Sequence, residues 1–191
     1  MEGGLMSSAT AATYEWLYQE FTTDTTWLCV NFVRDLSPEA ALRRISVTPG
    51  TLDHTGFGIE AYAARGGTVL IEYGWGGIVY YRSDLLSEGT TSAAVFANIN
   101  NEDFAYYVDG QLITTFGLHS YGYRRGASPD QLQSDLGDLG MRLDDEEPYF
   151  VDNPVSSALA LAERVSGVHP SRAHYARDAL FGAVGHLDPY R

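Results

Sequence analysis

The sequence predicts an α+β domain: a mainly antiparallel sheet of about five or six strands, with an N-terminal helix and a C-terminal helical hairpin. Three observations predict it. Apolar residues recur at helical spacing near both ends of the chain. Between the ends lie β-rich runs separated by Gly-Gly, glycine-rich and Asp-Gly junctions, the composition of tight turns. The strand–helix–strand alternation that builds a parallel nucleotide-binding sheet is absent. With 191 residues, 45% hydrophobic and 13% aromatic, the chain has material for one buried core and is too short for two full-sized domains.

Residues 1–10 carry neither the basic region nor the apolar stretch of a secretory signal and are expected to be a flexible lead-in to a cytoplasmic protein. A core domain is expected over 11–143. It opens with a helix over 11–21, where Tyr14, Leu17, Tyr18 and Phe21 share one face. Residues 27–33, Trp-Leu-Cys-Val-Asn-Phe-Val, are apolar on both faces, as in a strand buried on both sides, with Cys29 acting as a small hydrophobe. Ser37-Pro38-Glu39 reads as an N-cap, a proline at the first helical position and an acid in the first turn. Arg43 and Arg44 suit the negative end of that helix, near Ile45.

Residues 59–64 and 68–73 flank Gly66-Gly67 as a hairpin, and a glycine-rich loop, Gly74-Trp75-Gly76-Gly77, follows. A strand over 91–99 turns Val95, Ala97 and Ile99 one way and Phe96 and Asn98 the other. Asp109-Gly110 then joins two β-rich runs over 104–116 by a type I′ turn, which pairs Val108 with Gln111, Tyr107 with Leu112 and Tyr106 with Ile113. Ser128-Pro129-Asp130 opens a helix with the stripe Leu132, Leu136, Leu139, weakened by Gly137. The acidic run at 144–147 and Pro148 read as a linker over 144–153. The tail, 154–191, reads as two helices packed on the core or on a partner. The first is capped by Asn153-Pro154 and stopped by Gly167; the second follows His169-Pro170 with Ala173, Ala176, Leu180 and Val184, and stops at Gly185.

Charge narrows the function classes. The cationic residues are 12 arginines and no lysine, against 25 Asp plus Glu, for a net charge of -13. A basic track for nucleic-acid phosphates or an anionic membrane is therefore not expected. Without lysine there is no Schiff-base chemistry and no G-x-x-x-x-G-K-[ST] phosphate loop. A single cysteine excludes an internal disulfide and a cysteine-cluster zinc site.

No catalytic constellation stands out. His169 and His174 are five apart, not the i, i+4 of two ligands on one helical face, and His169 reads as an exposed or capping residue. His119 follows the Asp-Gly hairpin and could act as a general base only with a partner from elsewhere in the chain. Glu60, Glu72, Glu102 and Asp103 lie near sheet segments, where a pair could perform acid–base work. The run at 144–147 lacks the alternating ligand spacing of a calcium loop. No metal, cofactor or catalytic residue is assigned. The strongest surface candidate is the glycine-tryptophan loop with the aromatic run after it: Tyr73, Trp75, Tyr80 and Tyr81, joined by Asn98 and Asn100, because Trp and Tyr are the side chains that anchor interfaces. Trp75 could equally fold inward and cap the core.

The string Trp27-Leu28-Cys29-Val30-Asn31-Phe32-Val33-Arg34 into Ser37-Pro38-Glu39-Ala40-Ala41-Leu42-Arg43-Arg44, then Gly67-Thr68-Val69-Leu70-Ile71-Glu72, Gly74-Trp75-Gly76-Gly77 and Asn98-Ile99-Asn100, resembles an uncharacterised actinobacterial family, the domain of unknown function numbered 6461. The likeness covers about residues 14–118. Leu28 between the tryptophan and the cysteine, and the helical tail, depart from it. The resemblance implies an actinobacterial source, to which wholesale use of arginine in place of lysine corresponds, and it brings no catalytic residue with it.

Two functions from different classes follow. The first, favoured by the net charge and the missing catalytic motifs, is a non-enzymatic interaction module, such as an immunity or inhibitor protein covering a basic protein partner. The second is a small-molecule enzyme or binding protein with a pocket between sheet and helices, lined by Tyr73, Tyr106, Tyr107 and His119, with Glu72 or His119 as acid or base.

Overall fold

The computed structural model describes residues 9–22, 28–50, 57–74, 76–172 and 179–187. In chain order the elements are α1 (Ala11–Thr22), β1 (Leu28–Arg34), α2 (Pro38–Arg44), β2 (Gly58–Ala64), β3 (Gly67–Tyr73), α3 (Ile78–Tyr81), α4 (Ser83–Leu86), β4 (Thr91–Ala97), β5 (Glu102–Val108), β6 (Gln111–Gly117), β7 (Ser120–Arg125), α5 (Gln133–Asp138), β8 (Met141–Arg142), β9 (Tyr149–Phe150), α6 (Pro154–Ser166) and β10 (Leu180–Ala183). The class is α+β with an antiparallel sheet. The sheet has eight strands, in the order β10-β2-β3-β1-β4-β5-β6-β7, not the expected five or six. The two extra strands are its edges. β7, Ser-Tyr-Gly-Tyr-Arg-Arg, buries only Tyr121 fully and so carries no alternating apolar signal.

β10 corrects the expected C-terminal helical hairpin. Its residues Leu180–Ala183 pair with β2, Leu180 opposite Ala61 and Ala183 opposite Gly58. Ala and Leu at helical spacing do not outweigh ladder bonds and packing offered by an open sheet edge. Ala173 and Ala176, on which the second helix rested, lie outside the described residues. The acidic stretch contains β9, which forms a separate two-stranded ribbon with β8 and buries Phe150.

Strand β1 sits fourth in the order and shows why its sequence is apolar throughout. Leu28, Val30 and Phe32 enter one core, and Cys29 and Val33 enter a second core on the opposite face. The first core lies under α1, α5 and α6. There Tyr14 meets Phe32 edge-on at 5.9 Å, and Ala158, Ala160 and Ala162 let α6 approach the sheet closely. The second core is covered by α2, α3 and α4 over β1 to β4. One main sheet between two helical layers results.

Local signals place these elements. Ser37 Oγ accepts the Ala40 N–H at 3.2 Å, the capping bond that starts α2. Asp109 and Gly110 both take positive φ, 49° and 77°, as a type I′ turn requires. Val108 faces Gln111 and Tyr107 faces Leu112 as expected, but a bulge then shifts the register and Tyr106 faces Thr114 instead of Ile113. α5 begins at Gln133, later than the Ser128-Pro129-Asp130 cap implied, because Asp130 is engaged elsewhere: its carboxylate accepts from Arg124 Nε and Gln133 Nε2. Asn153 precedes α6 in a left-handed conformation and gives it no side-chain capping bond; Gly167 ends it at φ 71°.

Candidate functional site

The sheet's second face is covered unevenly, and the cover is held by buried polar groups. Asn31, fully buried on β1, donates from Nδ2 to the Val79 carbonyl at 2.6 Å and to Ser83 Oγ at 2.8 Å, while its Oδ1 accepts from Ser92 Oγ at 2.8 Å. Glu72, buried on β3 beside Cys29, accepts the Val79 N–H at 3.0 Å. Burial pushes the Glu72 carboxyl above its usual range, against the pull of the backbone amides at the start of α3. The same burial, with the Glu72 charge beside it, raises the Cys29 thiol well above its ordinary value, so it is no nucleophile. These bonds pin α3 and α4 over β1 and β4 and fix the positions of Tyr80 and Tyr81.

Beyond α3 the second face of β5, β6 and β7 is open. Tyr80 and Tyr81 form its wall with Phe96 behind them, at ring separations of 5.4 Å between the tyrosines and 5.8 and 6.2 Å to the phenylalanine. Thr115 Oγ1 donates to the Phe104 carbonyl at 2.8 Å, so the 3.1 Å contact between Tyr80 and Thr115 is donated by the tyrosine. A groove of about 320 Å³ runs along this wall, lined also by Asp103, Phe116, Gly117, Tyr123 and Arg125. Tyr81 is 68% exposed and Tyr123 is 87% exposed. Asp103 is half-buried. Burial raises its carboxyl, and the Arg125 charge works in the opposite sense. Among the described residues the Asp103 carboxylate takes no hydrogen bond and no ion pair.

A second cleft of about 300 Å³ adjoins the first through Tyr123, lined by His119, Ser120, Tyr121, Gly122, Glu146, Glu147 and Pro148. His119 Nε2 lies 2.8 Å from Glu102 Oε2. Among the described residues no three His, Cys, Asp or Glu side chains are grouped so as to hold a metal ion.

The structure brings together Tyr80 and Tyr81, and turns Tyr107 onto the same face, where its hydroxyl feels the charges of Asp84 and Arg125. It does not bring the other candidates to them. Trp75 lies outside the described residues. Tyr73 packs on the first core and donates to Glu60 at 2.9 Å. Asn98 follows β4 and accepts the N–H groups of Asn100 and Asn101, both at 2.8 Å, so this pair serves the turn. The second set does not converge. Glu72 is sealed under α3, Tyr106 belongs to the first core, Tyr107 points the other way, and His119 stands on the β6–β7 turn.

Sequence reasoning missed Thr115, Tyr123 and Arg125, whose alternation on one face shows only once β7 is known to be a strand. It also missed a closed cluster on the first face. Glu163 of α6, nearly buried, accepts Tyr14 Oη at 2.5 Å through Oε2, and its Oε1 lies 2.5 Å from His169 Nδ1. His169 is also tied by its backbone N–H to the Arg65 carbonyl at 2.8 Å. It is therefore part-buried and bonded, not an exposed or capping histidine. Burial, then the Glu163 charge, pushes the Tyr14 hydroxyl far above its ordinary value, which leaves it a permanent donor.

The fold and this site define an α+β protein with one main antiparallel sheet and an open, aromatic-walled part of one of its faces. The chain matches, over residues 59–184, a family of unknown function, DUF6461, and belongs to it. The match begins later and ends later than the likeness over 14–118 read from the sequence; it leaves out β1 and α2 and takes in α6 and β10. No curated protein and no solved structure matches the chain. Among the described residues no helix is long and apolar enough to cross a membrane.

Proposed function

We propose that this chain is a non-enzymatic protein-interaction module, an immunity or inhibitor type of protein, that engages the basic face of a protein partner through the groove between Tyr80–Tyr81 and Tyr123. The observation that carries the reading is the pairing of two highly exposed tyrosines with a half-buried carboxylate that has no partner among the described residues. Exposed aromatics around a desolvated polar group are the make-up of an interface hot spot. The net charge of -13 favours a cationic partner and speeds its approach. A cytoplasmic setting and an actinobacterial origin belong to the same proposal, supported by the single buried cysteine and by the use of arginine without lysine.

The test is a photo-crosslinking side chain at position 123, used in a lysate of the source cell at low and high salt. The expected result is one dominant crosslinked protein with a basic contact face, lost at high salt and absent when the probe replaces Tyr18 on α1. Crosslinking that is equal at both positions, or that persists unchanged in salt, overturns the reading. A second reading, a small-molecule enzyme or binding protein, is favoured by the cleft beside His119 and its 2.8 Å contact with Glu102. At about 300 Å³ that cleft sits at the bottom of the range for ligand sites.

A further inference from the structure

We propose that Asp103 is the anchor for an arginine side chain of the partner, which enters the groove between the Tyr80–Tyr81 wall and Tyr123; this rests on the interaction reading above. Three features lead to an arginine. The first is an unspent acceptor. Asp103 is the second residue of β5, opposite Phe96 of β4 and Gly117 of β6. Because Gly117 has no side chain, the carboxylate is open to the groove on that side. A half-buried carboxylate that takes no bond from the described residues has both oxygens available for a planar, two-pronged donor. The second is the wall. Tyrosine faces attract cations, and a guanidinium stacks on them while shedding water more readily than an ammonium does. The third is size. A groove of about 320 Å³ suits one long side chain, not a folded segment.

Arg125 shares the groove and sets the sign of the test. It stays out of ion-pair contact with Asp103, and a second guanidinium brought to the carboxylate is repelled by it. Had the groove been built for an anion or a sugar, Arg125 and the Tyr80 and Thr115 hydroxyls would be the binding groups, and Asp103 the obstacle. The two readings predict opposite effects of the same two substitutions.

The experiment titrates the isotope-labelled full chain with the capped tripeptide Gly-Arg-Gly and with its neutral citrulline counterpart, following backbone amide shifts. The arginine peptide is expected to shift the amides of Asp103, Thr115 and Tyr123 saturably, with the citrulline peptide at least tenfold weaker. Asp103→Asn is expected to weaken the arginine peptide at least tenfold. Tyr123→Ser, at an exposed side chain that the core does not need, is expected to weaken it severalfold, and Arg125→Gln to tighten it. Equal response to both peptides, undiminished binding by Asp103→Asn, or loss of binding by Arg125→Gln overturns the proposal. If the anchor fails while crosslinking from position 123 persists, the interaction reading stands and only its arginine is lost. If crosslinking fails as well, both go.

Discussion

Glu163 and Asp103 are two carboxylates on opposite sides of one sheet, and they are treated in opposite ways. Glu163, nearly buried under the first helical layer, has both oxygens engaged, one by Tyr14 and one by His169. It thereby ties α1, α6 and the segment after α6 into one unit. Asp103, half-buried on the bare part of the second face, has neither oxygen engaged among the described residues. A buried charge is tolerated where its bonds are complete, and it costs stability where they are not. The contrast separates a carboxylate that builds the fold from one whose bonds are left for something else.

The largest effect is expected where the closed cluster is broken. Glu163→Ala leaves the Tyr14 hydroxyl and His169 Nδ1 without their acceptor inside the protein, and each such orphan costs about 1–3 kcal/mol. Urea unfolding should show a loss of roughly 2–5 kcal/mol, with Glu163→Gln, which keeps one acceptor oxygen, in between. A loss below about 0.5 kcal/mol, the size of an ordinary surface change, would erase the distinction drawn between the two carboxylates.

A smaller but still substantial effect is expected at the boundary between the covered and the bare part of the second face. Asn31→Ala removes the donors to Val79 and Ser83 and the acceptor for Ser92, all inside a sealed layer. We expect a loss of about 2–3 kcal/mol, together with faster amide exchange in α3 and α4 than in α6. Because α3 carries the wall, binding through the groove should weaken as well. Undisturbed exchange in α3 would mean that the wall is held by packing on Phe96, not by the polar clamp.

How much of this the sequence discloses follows from the range of each signal. β1, the Ser37 cap and the Asp109-Gly110 turn are legible because a few adjacent residues determine them. β7 and β10 are not, because an edge strand buries too little to show alternation and owes its state to the neighbour it pairs with. The Glu163 cluster joins residues 149 positions apart, and nothing local marks Tyr14 as more than one apolar position of a helix. The groove is half legible. Tyr80 and Tyr81 stand out as an aromatic pair, whereas Asp103 is one of four acids near sheet segments until the topology shows which part of the sheet the helices leave bare.

The smallest effect on stability is expected at Asp103, and its smallness is what gives it meaning. Burial raises its carboxyl above the ordinary value of 3.8, with Arg125 opposing. A carboxyl raised in the folded state binds its proton more readily there than in the unfolded chain, so its ionisation lowers stability as pH rises through that range. Asp103→Asn removes the cost. At pH 7 the variant should equal or exceed the parent within about 0.5 kcal/mol, since the group is half exposed and solvent screens it. The difference should shrink as the pH is lowered and vanish below the ordinary value of 3.8, where the carboxyl is protonated in the folded and the unfolded chain alike. Unfolding midpoints of the two chains across that interval give the result directly. A clear loss of stability at pH 7 would mean that Asp103 is already bonded within the fold, like Glu163, and holds nothing in reserve for a partner. Parity or a gain, joined to loss of the arginine peptide, would mean that the chain carries an acid whose only favourable bonds form across an interface.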